Sequence, residues 1–488
     1  MSRRRLATSI ALAVGIAAVL SVRLSRTALA TDEITYMSTV VESMVQGSIF
    51  PVKGTGALFV NKPPLSFWLM RLSCEILGPS PLAARLPSVL AAAATAAVLY
   101  LFAAAVFGEG AGILAALIFA FTPGLLTVHG IRSATPDALE ILLITSAIVS
   151  LEFWRRRRRP WALTCLVICS AASAWVKSPF ALVVLMAYLL ATEVPARRAG
   201  LGTPRFGVTV ALVAGAWIGA YLLWLGTLSV ASSPRAVGRQ LLLGQYVRRI
   251  EGKSGVAHVQ GPSYYLTSTW RDFGPLLLLP AAALAAGWLA SRKGKRPWPH
   301  DVTCLVVWSL AAPVLATASL SKLPWYAYLS YPGIALLLAV SAHSLARAVS
   351  GRRAVQAAIW TACVCLLAWR VPAGDVWPAE ARHRGLMGSL WDFARRNPDL
   401  VLVAGPHLQL PRQHGNEGRE ARLFLRMLIW RQSRSSSNPG SCRAMLVNNR
   451  PPLAPEEAVE LCRPTRRNVG LLLIDGCGGR LREELTRP

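Results

Sequence analysis

The sequence predicts an all-α polytopic membrane protein of about eleven transmembrane helices with a small C-terminal extracytoplasmic α/β domain. Of its 488 residues, 53% are hydrophobic and only 16% are charged, which is too apolar for a soluble protein of this size. Apolar stretches recur as far as Trp369, and each is long enough to cross a bilayer as a helix. Short basic clusters separate these stretches, as is typical of cytoplasmic loops.

The predicted spans lie near residues 6–22, 83–107, 111–128, 138–154, 161–175, 179–192, 206–229, 274–290, 302–319, 327–346 and 354–369. With this threading the basic clusters at 3–5, 155–159, 197–198, 292–296 and 352–353 share the cytoplasmic side. We therefore expect a transmembrane domain over 1–369 and an extracytoplasmic domain over 370–488. A re-entrant segment at 111–128 or 161–175 would reverse all later segments and place arginine clusters outside, which the charge rule disfavours.

The formal net charge of +28 does not indicate nucleic-acid binding, because the basic residues form no single face with interleaved aromatics. The apolar run after Arg3 to Arg5 is interpreted as a retained first helix rather than a cleaved signal peptide. In the C-terminal region we expect a helix near 388–396 and short strands near 400–404, 444–447 and 469–474. Cys442 and Cys462 are expected to form a disulfide there, with Cys477 as the competing partner.

Acidic residues are rare in the apolar part of the chain, so their positions carry information. Asp32 and Glu33 follow directly on the first span, and Asp137 stands at the outer mouth of another. A carboxylate at a membrane boundary is costly unless it is solvated or used. Two alternatives remain open, a wetted helix end for Asp32 and Glu33, and a helix start after Thr135-Pro136 for Asp137.

Lysines beside proline occur on the same predicted outer face. They are Lys62 in Asn61-Lys62-Pro63-Pro64, Lys177 before a proline, and Lys322 in Lys322-Leu323-Pro324-Trp325-Tyr326. A cation held on stiffened backbone, with the phenol of Tyr326 nearby, suits the binding of a lipid phosphate. Snorkelling of the lysines to the interface explains any one of them alone.

The second outer loop carries His258, Tyr264 and Tyr265. A lone histidine is usually not a ligand, and the sequence has no tightly spaced zinc motif, so no protein-only metal site is predicted. The sequence also lacks a P-loop, a dinucleotide fingerprint and a GxSxG motif, which argues against nucleotide-driven transport and serine hydrolysis.

Together these motifs resemble the GT-C class of membrane glycosyltransferases, in the branch of the aminoarabinose–lipid A transferases and protein O-mannosyltransferases. The resemblance covers about residues 1–350, and its most specific element is the Lys-Leu-Pro-x-Tyr sequence at 322–326. The other elements are Asp32-Glu33, Asn61 to Leu65 with Trp68, Ala84-Arg85-Leu86-Pro87, Asp137, Lys177-Ser178-Pro179 and His258 to Tyr265.

The resemblance implies that Asp32 is the catalytic carboxylate at the acceptor and that Asp137 organises the site, with Glu33 as a further catalytic candidate. It places Lys62, Lys177 and Tyr326 near the carrier phosphate. We add Lys322 to the phosphate residues, and the candidate site-lining residues are Arg85, His258, Tyr264 and Tyr265. Asn61 stands where an acidic residue associated with a metal is usual, and Ser178 where glycine is frequent. The resemblance therefore leaves a divalent metal open, and no cofactor is required.

The resulting hypothesis is an enzyme of the bacterial inner membrane that moves a sugar from a polyprenyl-phosphate donor to an extracytoplasmic lipid, glycan or protein. Because the donor is already activated, one inverting displacement with an aspartate base suffices. The main alternative is a transporter or flippase for lipid-linked sugars, although the sequence shows none of the inverted repeats that would support it. A purely structural membrane protein is the second alternative.

Overall fold

The computed structural model describes residues 2–25, 29, 32–45, 47, 49, 53–54, 57–127, 129–177, 179–231, 237–239, 241, 247, 251, 259–282, 300–349, 353–371, 376, 401–404, 443–448, 458–459 and 469–475. The chain forms two compact units. The first, the helical unit, contains Met1–Val22, Val60–Leu69 and Arg85–Trp377. The second unit contains Arg23–Phe59, Met70–Ala84 and Pro378–Pro488. The domain boundary expected near residue 370 stays a prediction.

Long apolar helices dominate the described part of the chain. In order they are α1 (Arg3–Ser21), α2 (Asp32–Val45), α3 (Leu65–Leu77), α4 (Pro81–Val106), α5 (Glu109–Ala120), α6 (Pro123–Leu126), α7 (Asp137–Arg157), α8 (Pro160–Ala174), α9 (Phe180–Arg198), α10 (Phe206–Ala231), α11 (Tyr264–Phe273), α12 (His300–Thr317), α13 (Tyr331–Val349) and α14 (Arg353–Trp369). Within the helical unit α7 packs on α8, α8 on α10, α5 on α13, and α12 on both α9 and α13.

Five helices in the described ranges are long and apolar enough to cross a membrane. They are Arg3–Ser21, Pro81–Val106, Phe180–Arg198, Phe206–Ser229 and Pro324–Arg347, the last including two short 3₁₀ turns. Shorter apolar helices occupy Glu109–Ala120, Pro160–Ala174, Asp301–Thr317 and Ala354–Trp369. A multi-pass membrane protein is therefore supported, whereas the count of eleven spans stays a prediction. The expected span at 274–290 begins with the 3₁₀ turn Gly274–Leu277. Its residues beyond 282 lie outside the described residues.

The C-terminal end of α7 is fixed by a buried network of charged side chains. Arg155 donates to Glu152 at 2.9 Å and to Glu193 of α9 at 3.2 Å, and it also bonds Thr192 and Thr203. Arg156 pairs with Glu152 and with Asp301 of α12. These side chains come from the ends of helices that the sequence predicts to share one side of the membrane. They join α7, α9 and α12 there.

The second unit contains α2, a two-stranded ribbon and a sheet. The ribbon pairs β1 (Lys53–Gly54) with β2 (Ala57–Leu58). The helices α2 and α3 are joined where Arg71 donates to the carbonyl of Ser43 at 3.2 Å. Amphipathic segments of this kind form helices that cover apolar surface.

The C-terminal sheet has four strands in the order β3 (Val401–Ala404), β4 (Arg443–Asn448), β6 (Val469–Asp475) and β5 (Ala458–Val459). Strand β3 is parallel to β4, whereas β6 is antiparallel to both β4 and β5. Three of these strands match the expected positions. The expected helix at 388–396 and all three cysteines of the proposed disulfide lie outside the described residues, so the α/β character of this region stays a prediction.

Candidate functional site

A buried ion pair lies at the start of α7. The ammonium of Lys177, in the turn between α8 and α9, is 2.6 Å from Asp137 Oδ1. Asp137 follows Pro136 and begins α7, so its carboxylate stands at the N-terminal end of the helix, where the dipole favours negative charge. Both side chains are buried. This pair joins two residues that the sequence analysis had selected independently.

The two charges change each other's pKa. Burial lowers the pKa of Lys177, but the carboxylates of Asp137 and Glu140 outweigh burial and hold it above its ordinary value. Burial raises the pKa of Asp137, and Lys177 together with His129 outweighs burial and holds it below the usual range. The pair is therefore ionised at neutral pH.

Glu140 is a second carboxylate on this lysine. It lies one helical turn beyond Asp137, on the same face of α7, and its Oε2 is 3.6 Å from Lys177 Nζ. The side chain is 3% exposed. The charge of Lys62 also acts on Glu140. One lysine is thus shared by two buried carboxylates, which the sequence analysis did not identify.

His129 supports Asp137 from the other side. Its Nδ1 is 3.4 Å from Asp137 Oδ2, and its ring stacks on Trp325 with the centroids 3.8 Å apart. The backbone of His129 has φ +59°, a conformation that non-glycine residues adopt only when the surroundings enforce it. The loop before α7 and the Pro324–Tyr326 turn therefore meet at His129, beside Asp137.

Tyr326 completes this cluster. Its ring centroid is 5.8 Å from the ammonium of Lys177, and the ring lies against Phe180 at the start of α9. Three predicted site residues, Asp137, Lys177 and Tyr326, are thereby brought together from segments far apart in the sequence. We refer to Asp137, Glu140, Lys177, His129 and Tyr326 as the α7 cluster.

Lys322 lies on the turn that leads to Tyr326 and has different partners from Lys177. Its ammonium donates to the carbonyl of Ser319 at 2.6 Å, it is 4% exposed, and no carboxylate lies within ion-pair distance of it among the residues that the structure describes. The next residue, Leu323, donates its N–H to the hydroxyl of Tyr265 at 3.3 Å. Burial raises the pKa of Tyr265, so this phenol stays protonated and keeps an O–H to donate.

Tyr264 and Tyr265 begin α11 and pack edge to face, with ring centroids 5.2 Å apart. Val259 forms an isolated β-bridge with Ser321, which ties the segment before α11 to the Lys322 turn. The second outer loop and the Lys-Leu-Pro-x-Tyr element therefore meet. His258 and Ser178 lie outside the described residues, so their roles stay predictions.

The segment of Asn61 and Lys62 is attached to the α8–α9 turn. Leu65 donates its N–H to the carbonyl of Trp175 at 2.9 Å, and Trp68 packs on Trp175 with ring centroids 5.4 Å apart. Lys62 is partly exposed and Asn61 is exposed. This attachment places the Asn61–Lys62 segment beside the turn that carries Lys177.

Arg85 is buried near the start of α4, and its charge acts on Arg132. Arg132 in turn binds the backbone carbonyls of Leu20, Val22 and Val376, where α1 ends and the chain continues beyond α14. Burial and the neighbouring Arg85 lower the pKa of Arg132 to about 10. The site-lining role of Arg85 stays a prediction.

Asp32 and Glu33 begin α2 in the second unit. Asp32 accepts a hydrogen bond from Tyr36 at 3.3 Å, one turn further along the helix, while Glu33 is 7% exposed. Acidic residues in the first turn of a helix are stabilised by its dipole, so these positions also serve the helix. Their catalytic role stays a prediction.

The donor groups of the described residues bear on whether a metal could bind. In the described ranges no three His, Cys, Asp or Glu side chains converge to hold a metal ion, and the side chain of Asn61 is a neutral amide. The described residues therefore do not fit a divalent metal at the position that the resemblance suggests. No step of the mechanism below involves one.

Comparison with protein families and solved structures identifies the fold. The family model described as dolichyl-phosphate-mannose-protein mannosyltransferase matches residues 61–224. The structure of ArnT from Cupriavidus metallidurans bound to undecaprenyl phosphate superposes with a TM-score of 0.63 at 15% identity, covering 98% of this chain and 100% of that one. No curated protein matches at a significant level.

The oligosaccharyltransferase of Archaeoglobus fulgidus in complex with Zn and sulfate is similar with a TM-score of 0.51 at 16% identity, covering 79% of this chain and 55% of that one. AglB from the same organism, in complex with an inhibitory peptide and a dolichol-phosphate, also gives 0.51 at 15% identity, with coverages of 82% and 59%. The resemblance to GT-C membrane glycosyltransferases is thereby confirmed, and the chain has their fold.

Proposed function

We propose that the chain transfers a sugar from a polyprenyl-phosphate-linked donor to an extracytoplasmic acceptor, in a bacterial inner membrane with its site on the periplasmic face. The observation that carries the proposal is the buried ion pair of Lys177 and Asp137 beside the ring of Tyr326 in a GT-C fold. Burying charge is costly, and an ionisable cluster at a predicted membrane boundary indicates function by default.

The donor class follows from two kinds of support. ArnT binds undecaprenyl phosphate and AglB binds a dolichol-phosphate, and this chain carries cationic and phenolic groups suited to the same phosphate chemistry. The ammonium of Lys322 binds a backbone carbonyl and has no carboxylate within ion-pair distance among the described residues, Lys62 adds a second cation, and Tyr326 adds a hydroxyl donor. Charge-assisted hydrogen bonds from such groups bind a phosphate ester. Lys177 remains a phosphate candidate, although it already contacts two carboxylates.

The reaction needs no further activation. The acceptor oxygen or nitrogen attacks the anomeric carbon, the bond from that carbon to the phosphate oxygen breaks, and the electron pair leaves with the polyprenyl phosphate. Asp32 takes the acceptor proton as general base. Lysine and tyrosine donors stabilise the charge that grows on the leaving phosphate. One displacement of this kind inverts the anomeric centre.

Asp137 and Glu33 have supporting roles in this mechanism. Asp137 holds two hydrogen-bonding groups of the site in place, Lys177 and His129. Glu33 adjoins Asp32 and is the alternative base. The acceptor is a lipid A-like lipid, a glycan or a protein, and the sugar is a hexose or a pentose.

Transfer by the purified protein in proteoliposomes tests the proposal. Undecaprenyl phosphate carrying radiolabelled mannose or 4-amino-4-deoxyarabinose is supplied with a cell-envelope extract, and Asp32→Asn protein is the matched control. We expect label in the acceptor fraction together with an equal amount of free undecaprenyl phosphate. Movement of the labelled lipid across the bilayer without release of undecaprenyl phosphate would instead establish a transporter.

A further inference from the structure

The carboxylate of Glu140 has an unused oxygen. Its Oε2 faces Lys177 at 3.6 Å, whereas its Oε1 is buried and accepts no hydrogen bond within the described part of the chain. Buried polar atoms are nearly always paired, so an unpaired carboxylate oxygen requires an explanation. A hydrogen-bond donor from a ligand would supply the missing partner.

The charges around Glu140 define what kind of group fits there. Asp137 and Glu140 place two carboxyl groups on one cation, Lys177, which contacts both. His129 contacts Asp137. A phosphate beside Oε1 would bring its negative charge against these carboxyl groups, whereas a hydroxyl or ammonium group would be attracted. The free oxygen therefore suits a donor group and not the phosphate itself.

The location of Glu140 matches the reacting end of the donor. Tyr326, a candidate phosphate residue, lies 5.8 Å from the ammonium of Lys177 that Glu140 shares. Lys62, another candidate, acts electrostatically on Glu140. The sugar is bonded directly to the phosphate, so its hydroxyl groups lie within a few bond lengths of these residues. Glu140 is within the same neighbourhood.

Resting on the proposed function, we propose that Glu140 Oε1 accepts a hydrogen bond from a hydroxyl or ammonium group of the transferred sugar and so selects the sugar rather than the lipid carrier.

The test compares two ligands that differ only in the sugar. Affinity of the full-length protein in nanodiscs is measured for undecaprenyl phosphate and for the mannosyl or 4-amino-4-deoxyarabinosyl ester that the wild type transfers. We expect Glu140→Gln to weaken binding of the sugar-bearing lipid by about tenfold or more. Binding of undecaprenyl phosphate should be unchanged or tighter. Glu109→Gln, which neutralises an exposed carboxylate of α5, should change neither.

Analogues of the donor lacking one hydroxyl or the amine identify the partner group. The affinity of wild type for the analogue without the contacted group should equal the affinity of Glu140→Gln for the parent donor. Replacing wild type by Glu140→Gln should not lower the affinity for that analogue further. Equal weakening of both lipids, or no weakening, would overturn the inference. Glu140→Asp keeps the charge and serves if the glutamine protein fails to fold. Failure of wild type to transfer sugar would overturn the proposed function instead.

Discussion

The ammonium of Lys177 lies 2.6 Å from Asp137 Oδ1, and each side chain is more than nine-tenths buried. Lys177 was predicted to contact the carrier phosphate, but in the structure its charge is engaged by Asp137 and, at longer distance, by Glu140. The pair therefore stabilises the fold, whether or not it also takes part in catalysis. Removing one partner leaves an uncompensated buried charge.

The pH dependence of stability tests this pair. The pKa of Asp137 is lowered, so its contribution is present above its ordinary pKa of 3.8 and is lost as pH falls through the still lower folded value. The pKa of Lys177 is raised, so its contribution is present below 10.5 and is lost only as pH rises through the higher folded value. Between about pH 5 and pH 9 the contribution of the pair should be constant.

Asp137→Asn should accordingly lower the free energy of unfolding by about 3 kcal/mol, and the difference from wild type should not vary over that pH range. Thermal unfolding in detergent at several pH values measures it. Glu109→Gln removes an exposed carboxylate and should cost well under ~1 kcal/mol. A difference that disappears towards pH 5 would show that Asp137 becomes protonated there in the folded protein, so that its pKa is raised rather than lowered.

Arg155 should be needed for stability but not for chemistry. Its guanidinium is fully buried and bonds side chains of α7 and α9 together with Thr203. Arg155→Ala should destabilise the protein by about 3–5 kcal/mol, because Glu152 and Glu193 lose their shared cation. The matched control is Arg157→Ala, two residues away and exposed, which should change stability by less than about 0.5 kcal/mol.

Carrier binding per folded molecule should be unchanged in Arg155→Ala. Binding of undecaprenyl phosphate to the folded fraction, separated by gel filtration, measures this. A loss of binding without a loss of thermal stability would contradict a structural role, since no residue of the α7 cluster contacts Arg155 in the described part of the chain.

Much of the helical layout could be predicted from the sequence, because apolar length and the basic clusters report directly on membrane segments. The strands at Val401–Ala404, Arg443–Asn448 and Val469–Asp475 were likewise expected from local pattern. Asp137, Lys177 and Tyr326 could be selected as candidate site residues, because charged and phenolic groups stand out at the ends of apolar spans.

The partners of those residues could not be predicted, because pairing depends on which segments meet. Glu140 could have been noticed, since it follows Asp137 by three residues and so shares its helix face. His129 gave no local signal, because its positive φ and its stacking on Trp325 arise from tertiary contacts. The different partners of Lys177 and Lys322 also follow from packing, as both lysines precede proline-containing turns.

The two lysines should respond differently to mutation. Lys322 is held by a backbone carbonyl and contacts no carboxylate among the described residues, so its charge remains available to an anion. Lys322→Ala should weaken binding of undecaprenyl phosphate by about tenfold, the scale of one charge-assisted hydrogen bond, with little change in stability. Lys177→Ala should mainly destabilise the protein. Titration with undecaprenyl phosphate and thermal unfolding of both variants separate these outcomes, and equal behaviour would refute the distinction.

The assignment of Asp32 as the base is tested by Asp32→Asn, which keeps the size of the side chain but removes its charge and basicity. Transfer should fall by about 10²-fold or more, the scale for loss of a general base, while folding and donor binding persist. Lys62→Ala should instead weaken donor binding, because a phosphate contact exists already in the ground state. Single-turnover rates and donor affinities of both variants provide the comparison.

The alternative is that Asp32 only stabilises the start of α2, where its carboxylate accepts a hydrogen bond from Tyr36. In that case Asp32→Asn should cost about 1 kcal/mol or less of stability, the usual size of a helix-dipole effect, and leave the rate intact. Tyr36→Phe is the matched control, since it removes the same hydrogen bond but leaves the carboxylate. If Asp32→Asn turns over as fast as wild type, the base is Glu33 or Asp137; if only Asp32→Asn is slow and Tyr36→Phe is not, the carboxylate itself handles the acceptor proton.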